Sequence, residues 1–260
     1  MTEKIREGFF AQLGRLYSEP PWSFYEVGLA LLVLAVTMFW IAPAVAAVLS
    51  SDTLNPTPTT LITGWMIGLL IAAGVVLLRW KRSPEHFAAL RLIGESGHLR
   101  RPYLLLMMIG VATNLTANLI VAAGAEISHV PQNFSTAAIL QGIVYQWGIA
   151  EIILALILVV IVQPIAEGII FFGVLQPRMR VALGAWPGLI LTAVFYAGFH
   201  FLIYGTQPLI NSPLWYGFML PFLLGLVLAS VRVWLRSTRA AIIVSIGIGC
   251  TSILTMIALG

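Results

Sequence analysis

The sequence has very little charge. Only 9% of its 260 residues are Asp, Glu, Lys or Arg, against roughly 25% in a soluble domain. So few charges cannot dress a water-facing surface, which excludes an ordinary soluble globular fold. Cysteine is almost missing too. Cys250 stands alone, so an internal disulfide and a cysteine-rich metal site are both excluded, and the compartment is left open. No stretch shows the apolar–polar alternation of a membrane barrel. No secretory signal is legible: residues 1–23 mix Lys4, Arg6 and Arg15 with Glu3, Glu7 and Glu19, and no small-residue cleavage site follows the first apolar run. The net charge of +4 is no sign of nucleic-acid binding, because basic residues in a membrane protein report topology.

What is present is apolar. Hydrophobic residues make up 60% of the chain, and the mean hydropathy is +0.97. The apolar runs are continuous and about 20 residues long, which is the signal of helices crossing a bilayer. An amphipathic lead (Phe9, Phe10, Leu13, Leu16, Tyr17) ends at Pro20-Pro21. Spans are then predicted over 24–49, 61–78, 103–123, 147–176, 187–204, 214–235 and 240–259. Residues 86–92 read as a short interfacial helix. The fourth run is too long for one straight crossing at about 1.5 Å per residue. Pro164 offers a break, since it removes a backbone donor and clashes with the preceding turn. A second helix, kinked or re-entrant, is expected after it. The fold class is therefore all-α: a polytopic membrane protein of about seven helices, one of them broken at Pro164. There is no internal repeat and no soluble domain.

Topology follows from the cations. With the N-terminus inside, every Lys and Arg falls on the cytoplasmic side: before span one, and in the loops after spans two, four and six. The loop over 124–146 has none. The lead at 1–23 is then cytoplasmic, the C-terminus lies outside, and the chain is assigned to a prokaryotic plasma membrane.

A few polar groups lie at depth. Counted from the nearest boundary at about 1.5 Å per residue, Glu167, His200 and Asn114 sit roughly 16, 20 and 18 Å in. That is near the middle of a ~30 Å core, so the three could meet. Gln163 precedes Glu167 by one turn on the same face, Thr192 and Tyr196 share a face with His200, and Asn118 shares one with Asn114. An ionisable group there is costly and points to function. Glu167 has the chemistry of a general base towards water, and His200 that of a metal ligand or an oxyanion donor. A buried packing pair or a proton relay stays open. Asn114 and Asn118 suit helix–helix glue, and Ser245 with Gly247, Gly249 and Cys250 suits a small-residue packing face. Glu151, near the outer boundary, suits headgroup contact. The sequon Asn133-Phe134-Ser135 is a cheap match.

The stretch from Pro164 to Arg178, with Glu167, Gly168, Phe172 and Gly173 inside it, resembles the first motif of the CPBP family. These are intramembrane proteases related to type II CAAX prenyl endopeptidases and bacteriocin-immunity proteins. Tyr196 to His200 resembles the second motif, residues 222–229 the glycine-containing helix that follows, and 237–249 the register of the third. The resemblance covers about 147–255. It implies a CPBP-type helical bundle, with the N-terminal spans at 24–146 and the core at 147–260. Glu167 and His200 match the water-activating glutamate and the second-motif histidine. Gly168 and Phe172 stand where a second glutamate and an arginine belong, and Ser245 and Gly249 where a histidine and Asn or Asp belong. Replacing a buried arginine and its carboxylate partner together is coherent, since losing either alone strands a charge.

The resemblance further implies peptide-bond hydrolysis in the membrane, a divalent metal such as zinc, and a hydrophobic or prenylated peptide as partner. A catalytic zinc needs about three protein ligands, and this set is incomplete, with His200 the one candidate. Asn114, Asn118 or Ser245 are the substitute donors on offer. The expectation is a CAAX-protease-like endopeptidase with weakened or lost catalysis. The alternatives are a non-catalytic peptide-binding, immunity or regulatory protein, and a transporter or proton relay.

Overall fold

The computed structural model describes residues 8–16, 19–50, 57–92, 103–128, 148–205 and 213–259. The sequon at 133–135, His129, Tyr17, Arg100 and Arg101 lie outside them. The described residues are helical, with no strand among them, and seven helices are long and apolar enough to cross a membrane. A short helix α1 (Phe9–Gly14) comes first. The spans are α2 (Phe24–Leu49), α3 (Pro58–Lys81), α5 (Tyr103–Ile127), α6 (Ile149–Leu183), α7 (Ala185–Ile203), α8 (Leu214–Trp234) and α9 (Thr238–Leu259). Between α3 and α5 lies the interfacial helix α4 (Pro84–Ala89). Helices start where side chains can hold free N–H groups: Ser23 and Glu26 form a capping box on α2, and Ser83 caps α4.

The break at Pro164 takes the form of widened turns, and the helical path continues across it. Helix α6 runs for 35 residues. Its regular i→i+4 ladder covers Gln163–Glu167, and i→i+5 turns occupy Leu158–Val162 before it and Gly168–Leu175 after it. Wide turns absorb the missing proline donor and often mark functional sites. They also leave carbonyls to be satisfied from outside the helix. The Trp22 indole donates to Val174 O at 3.0 Å, and Arg232 Nε donates to Phe172 O at 3.2 Å. All eight residues of Gly168–Leu175 are buried.

Helix α9 packs on both α5 and α6. Gly110 and Gly247 let α5 and α9 approach backbone to backbone, as small residues do in lipid. Ile242 packs on Gly168 and Gly249 on Val159, so α9 runs antiparallel to α6.

The cations gather at one end. Arg79 lies 3.6 Å from Glu26, Arg178 pairs with Glu19 and covers the Phe24 ring, and Arg239 covers the Tyr103 ring. Arg180 is buried and donates to Ala185 O, Leu13 O and Arg15 O at 2.8, 2.9 and 2.6 Å. It thereby ties α1 to the α6–α7 turn. At the opposite end, Thr59 donates to Glu151 Oε1 at 2.8 Å and joins α3 to α6.

Candidate active site at the Glu167–His200 pair

Glu167 and His200 converge. Glu167 Oε1 lies 3.6 Å from His200 Nε2. The Glu167 side chain is 2% exposed and the His200 side chain 13%. Each residue closes a regular helical stretch: Glu167 precedes the wide turns of Gly168–Leu175, and His200 precedes those of Phe201–Gly205.

The histidine's tautomer follows from its partners. His200 Nδ1 sits 3.0 Å from Tyr196 O. A carbonyl only accepts, so Nδ1 carries the hydrogen. In the neutral ring Nε2 is then an acceptor, and the Gln163 amide nitrogen at 3.2 Å donates to it. The Tyr196 ring packs on the imidazole at 4.3 Å between centroids and on Phe171 and Phe172. The Tyr196 and Gln163 side chains lie near enough to act on the Glu167 carboxylate as weak hydrogen-bonding groups, beside the charge influence of His200, though none reaches full hydrogen-bond distance. Neither carboxylate oxygen has a hydrogen-bond partner among the described side chains and backbone.

The asparagines sit elsewhere. Depth counting puts Asn114 level with the pair, but its partner Ser252 stands ten residues beyond Ile242, the α9 residue that faces Gly168. Asn114 is buried and donates to Ser252 Oγ of α9 at 3.3 Å. Asn118 donates to Asn114 O at 2.8 Å and to Asn114 Oδ1 at 3.0 Å. Both belong to the α5–α9 seam. Ser245 lies between Ile242 and Gly249 along α9, in register opposite Gln163–Pro164.

The positions of the absent family groups are packed shut. A Cβ on Gly168 would stand 2.4 Å from Ile242 Cγ1, and one on Gly249 2.4 Å from the Val159 carbonyl oxygen. Phe172 is fully buried against Tyr196. The arginine missing at 172 has a partial stand-in, since the buried Arg232 donates to that residue's carbonyl. The sequence reading did not single out Arg232, which lies inside the predicted span 214–235, near the end of α8 at Trp234.

A divalent metal does not fit these residues. Among the described residues no three His, Cys, Asp or Glu side chains converge, and both His200 ring nitrogens already face hydrogen-bond partners. Chemically, the pair sets an acceptor and a donor side by side. Glu167 accepts, and the amide of Gln163 is the donor beside it.

Residues 148–248 match the family model described as Type II CAAX prenyl endopeptidase Rce1-like. The match covers this core, and it supports kinship of these residues with the CPBP family inside a bundle of seven apolar helices. No curated protein and no solved structure matches it.

Proposed function

We propose that this chain holds a polypeptide segment inside the membrane at the Glu167–His200 pair and has lost most or all of the hydrolytic rate of its family. The observation that carries this reading is the closed packing at Gly168, Phe172 and Gly249. A merely damaged site leaves voids or stranded charges. Here three of the four vacated positions, Gly168, Phe172 and Gly249, are filled by close contacts. Hydrolysis also needs donors for the developing oxyanion, and each one lost costs about 10²–10³ in rate. Two missing third-motif donors, acting independently, together cost about 10⁴–10⁶. The remaining pair suits binding: an unpartnered carboxylate for peptide N–H groups, and the Gln163 amide for a peptide carbonyl.

Slow hydrolysis is the second reading, favoured by the 3.6 Å spacing of Glu167 Oε1 and His200 Nε2. A water held between them would take the place of the Gln163 amide on His200 Nε2. The partner in either reading is a hydrophobic or prenylated peptide, and the basic end is the cytoplasmic side.

A cleavage assay separates the two readings. Purified protein in nanodiscs is given prenylated and plain hydrophobic peptides, with Glu167→Gln and His200→Ala alongside. The expected result is no turnover above either variant. Turnover that vanishes in both variants would overturn the reading.

A further inference from the structure

His200 is held the way a metal-binding histidine is held. Such a ring gives its second N–H to a backbone carbonyl or a carboxylate, which fixes the tautomer and aims the other nitrogen. Here Nδ1 is tied to Tyr196 O at 3.0 Å, and the Tyr196 ring backs the imidazole at 4.3 Å between centroids. Nε2 is thereby aimed at the pair, with Glu167 Oε1 3.6 Å away. Gln163 is the third group at this point. The regular stretch Gln163–Glu167 puts both side chains on one helix face, and the Gln163 amide nitrogen stands 3.2 Å from Nε2. Ligand atoms on one tetrahedral zinc, each about 2.0–2.1 Å from it, stand about 3.3 Å apart. The two spacings to Nε2, 3.2 and 3.6 Å, bracket that edge. The three side chains therefore have the spacing of a ligand set, yet the one at 163 presents an NH₂, which donates and does not ligate.

We infer that Gln163 is the residue that closes the Glu167–His200 pair to a divalent ion, its amide N–H standing on His200 Nε2 where an ion would stand. An ion on Nε2 sits about 2.1 Å out along the ring nitrogen's lone pair, and the amide N–H already takes that lone pair. The determinant thus lies outside the vacated positions 168, 172, 245 and 249. Gln163→His would set a second imidazole one turn from Glu167 and beside His200, the three protein ligands a zinc site needs. The amide carries two N–H groups. One holds His200, and the other serves a peptide carbonyl, so the same side chain bars the ion and suits binding. That last step rests on the peptide-binding reading above, whereas the exclusion of the ion stands on the three side chains alone.

The test is cobalt binding by the full chain in nanodiscs, read by the visible absorption of four-coordinate Co²⁺. Wild type, Gln163→His and Gln163→Leu are titrated, each first checked for a monodisperse elution peak. Adding His200→Ala to wild type and to Gln163→His controls for the other histidines and Cys250. Gln163→His should gain a saturable band that zinc displaces and that His200→Ala abolishes, and zinc should raise its Tm. Wild type should show neither. Gln163→Leu removes the amide and supplies no ligand. In ¹⁵N-histidine-labelled protein, with His200 assigned from the His200→Ala spectrum, it should move the Nε2 resonance. Cobalt on wild type that His200→Ala removes overturns the inference, because the amide is then no barrier. So does folded Gln163→His that binds no more than its control, or an Nε2 resonance that stays put in Gln163→Leu. Gln163→Glu, close in size to the native side chain, supplies the third ligand if Gln163→His does not fold. Cleavage by a wild type that binds no cobalt would overturn the preceding reading and leave this one standing.

Discussion

Two polar clusters sit in this bundle, one beside Ser252 and the other level with Ile242 on α9, and they are built differently. On the α5–α9 seam, Asn114 and Asn118 spend their amides on each other and on Ser252. On the α6–α7 side, Glu167 is just as buried, and among the described residues neither of its oxygens has a partner within hydrogen-bond distance, His200 Nε2 standing 3.6 Å away. Satisfied polar groups in lipid glue helices together. A buried group without a partner costs free energy, and a fold keeps one where a ligand or water completes it. Polarity and burial therefore do not separate a site from a seam, whereas hydrogen-bond satisfaction does.

Substitutions can break this contrast, and the largest effect is expected at Gly168. Gly168→Glu restores a family carboxylate where Ile242 already stands. Overpacking and an unpaired buried charge should cost about 3 kcal/mol or more, read as a large drop in Tm in detergent. Adding Phe172→Arg should recover only part of it, since the Ile242 clash remains.

Asn114→Ala comes next. It removes the bond to Ser252 and one acceptor of Asn118, for a loss of about 1–2 kcal/mol. Peptide binding measured by fluorescence anisotropy should stay intact. Glu167→Gln sharpens the contrast from the other side. Replacing an unpartnered buried carboxylate with a neutral amide should leave stability unchanged or raise it by about 1 kcal/mol, and peptide binding should fall. Ser245→Ala should be the mildest, within about 0.5 kcal/mol, as checked by the same melting curves.

Much of the frame was legible in the chain. Seven apolar runs and the placement of the cations yielded the spans, because length and charge act locally. The real ends differ by a few residues: α5 runs on to Ile127, and α4 starts at Pro84. The rarity of charge at depth singled out Glu167 and His200. The wide turns around Gln163–Glu167 were not legible, because they depend on donors far away in sequence, Trp22 and Arg232. Arg180 hid its role for a similar reason: its partners are carbonyls of the lead and of the next helix. Asn114 was drawn to the pair by depth counting, which contains no information about which neighbour a helix face meets.

The most direct measurement is peptide binding paired with thermal stability, in wild type, Glu167→Gln and Asn114→Ala, using one panel of fluorescent hydrophobic and prenylated peptides. The account expects Glu167→Gln to lose binding at full stability, and Asn114→Ala to lose stability while binding persists. Glu167→Gln that binds like wild type but melts early would contradict it, and would make Glu167 one more piece of helix packing.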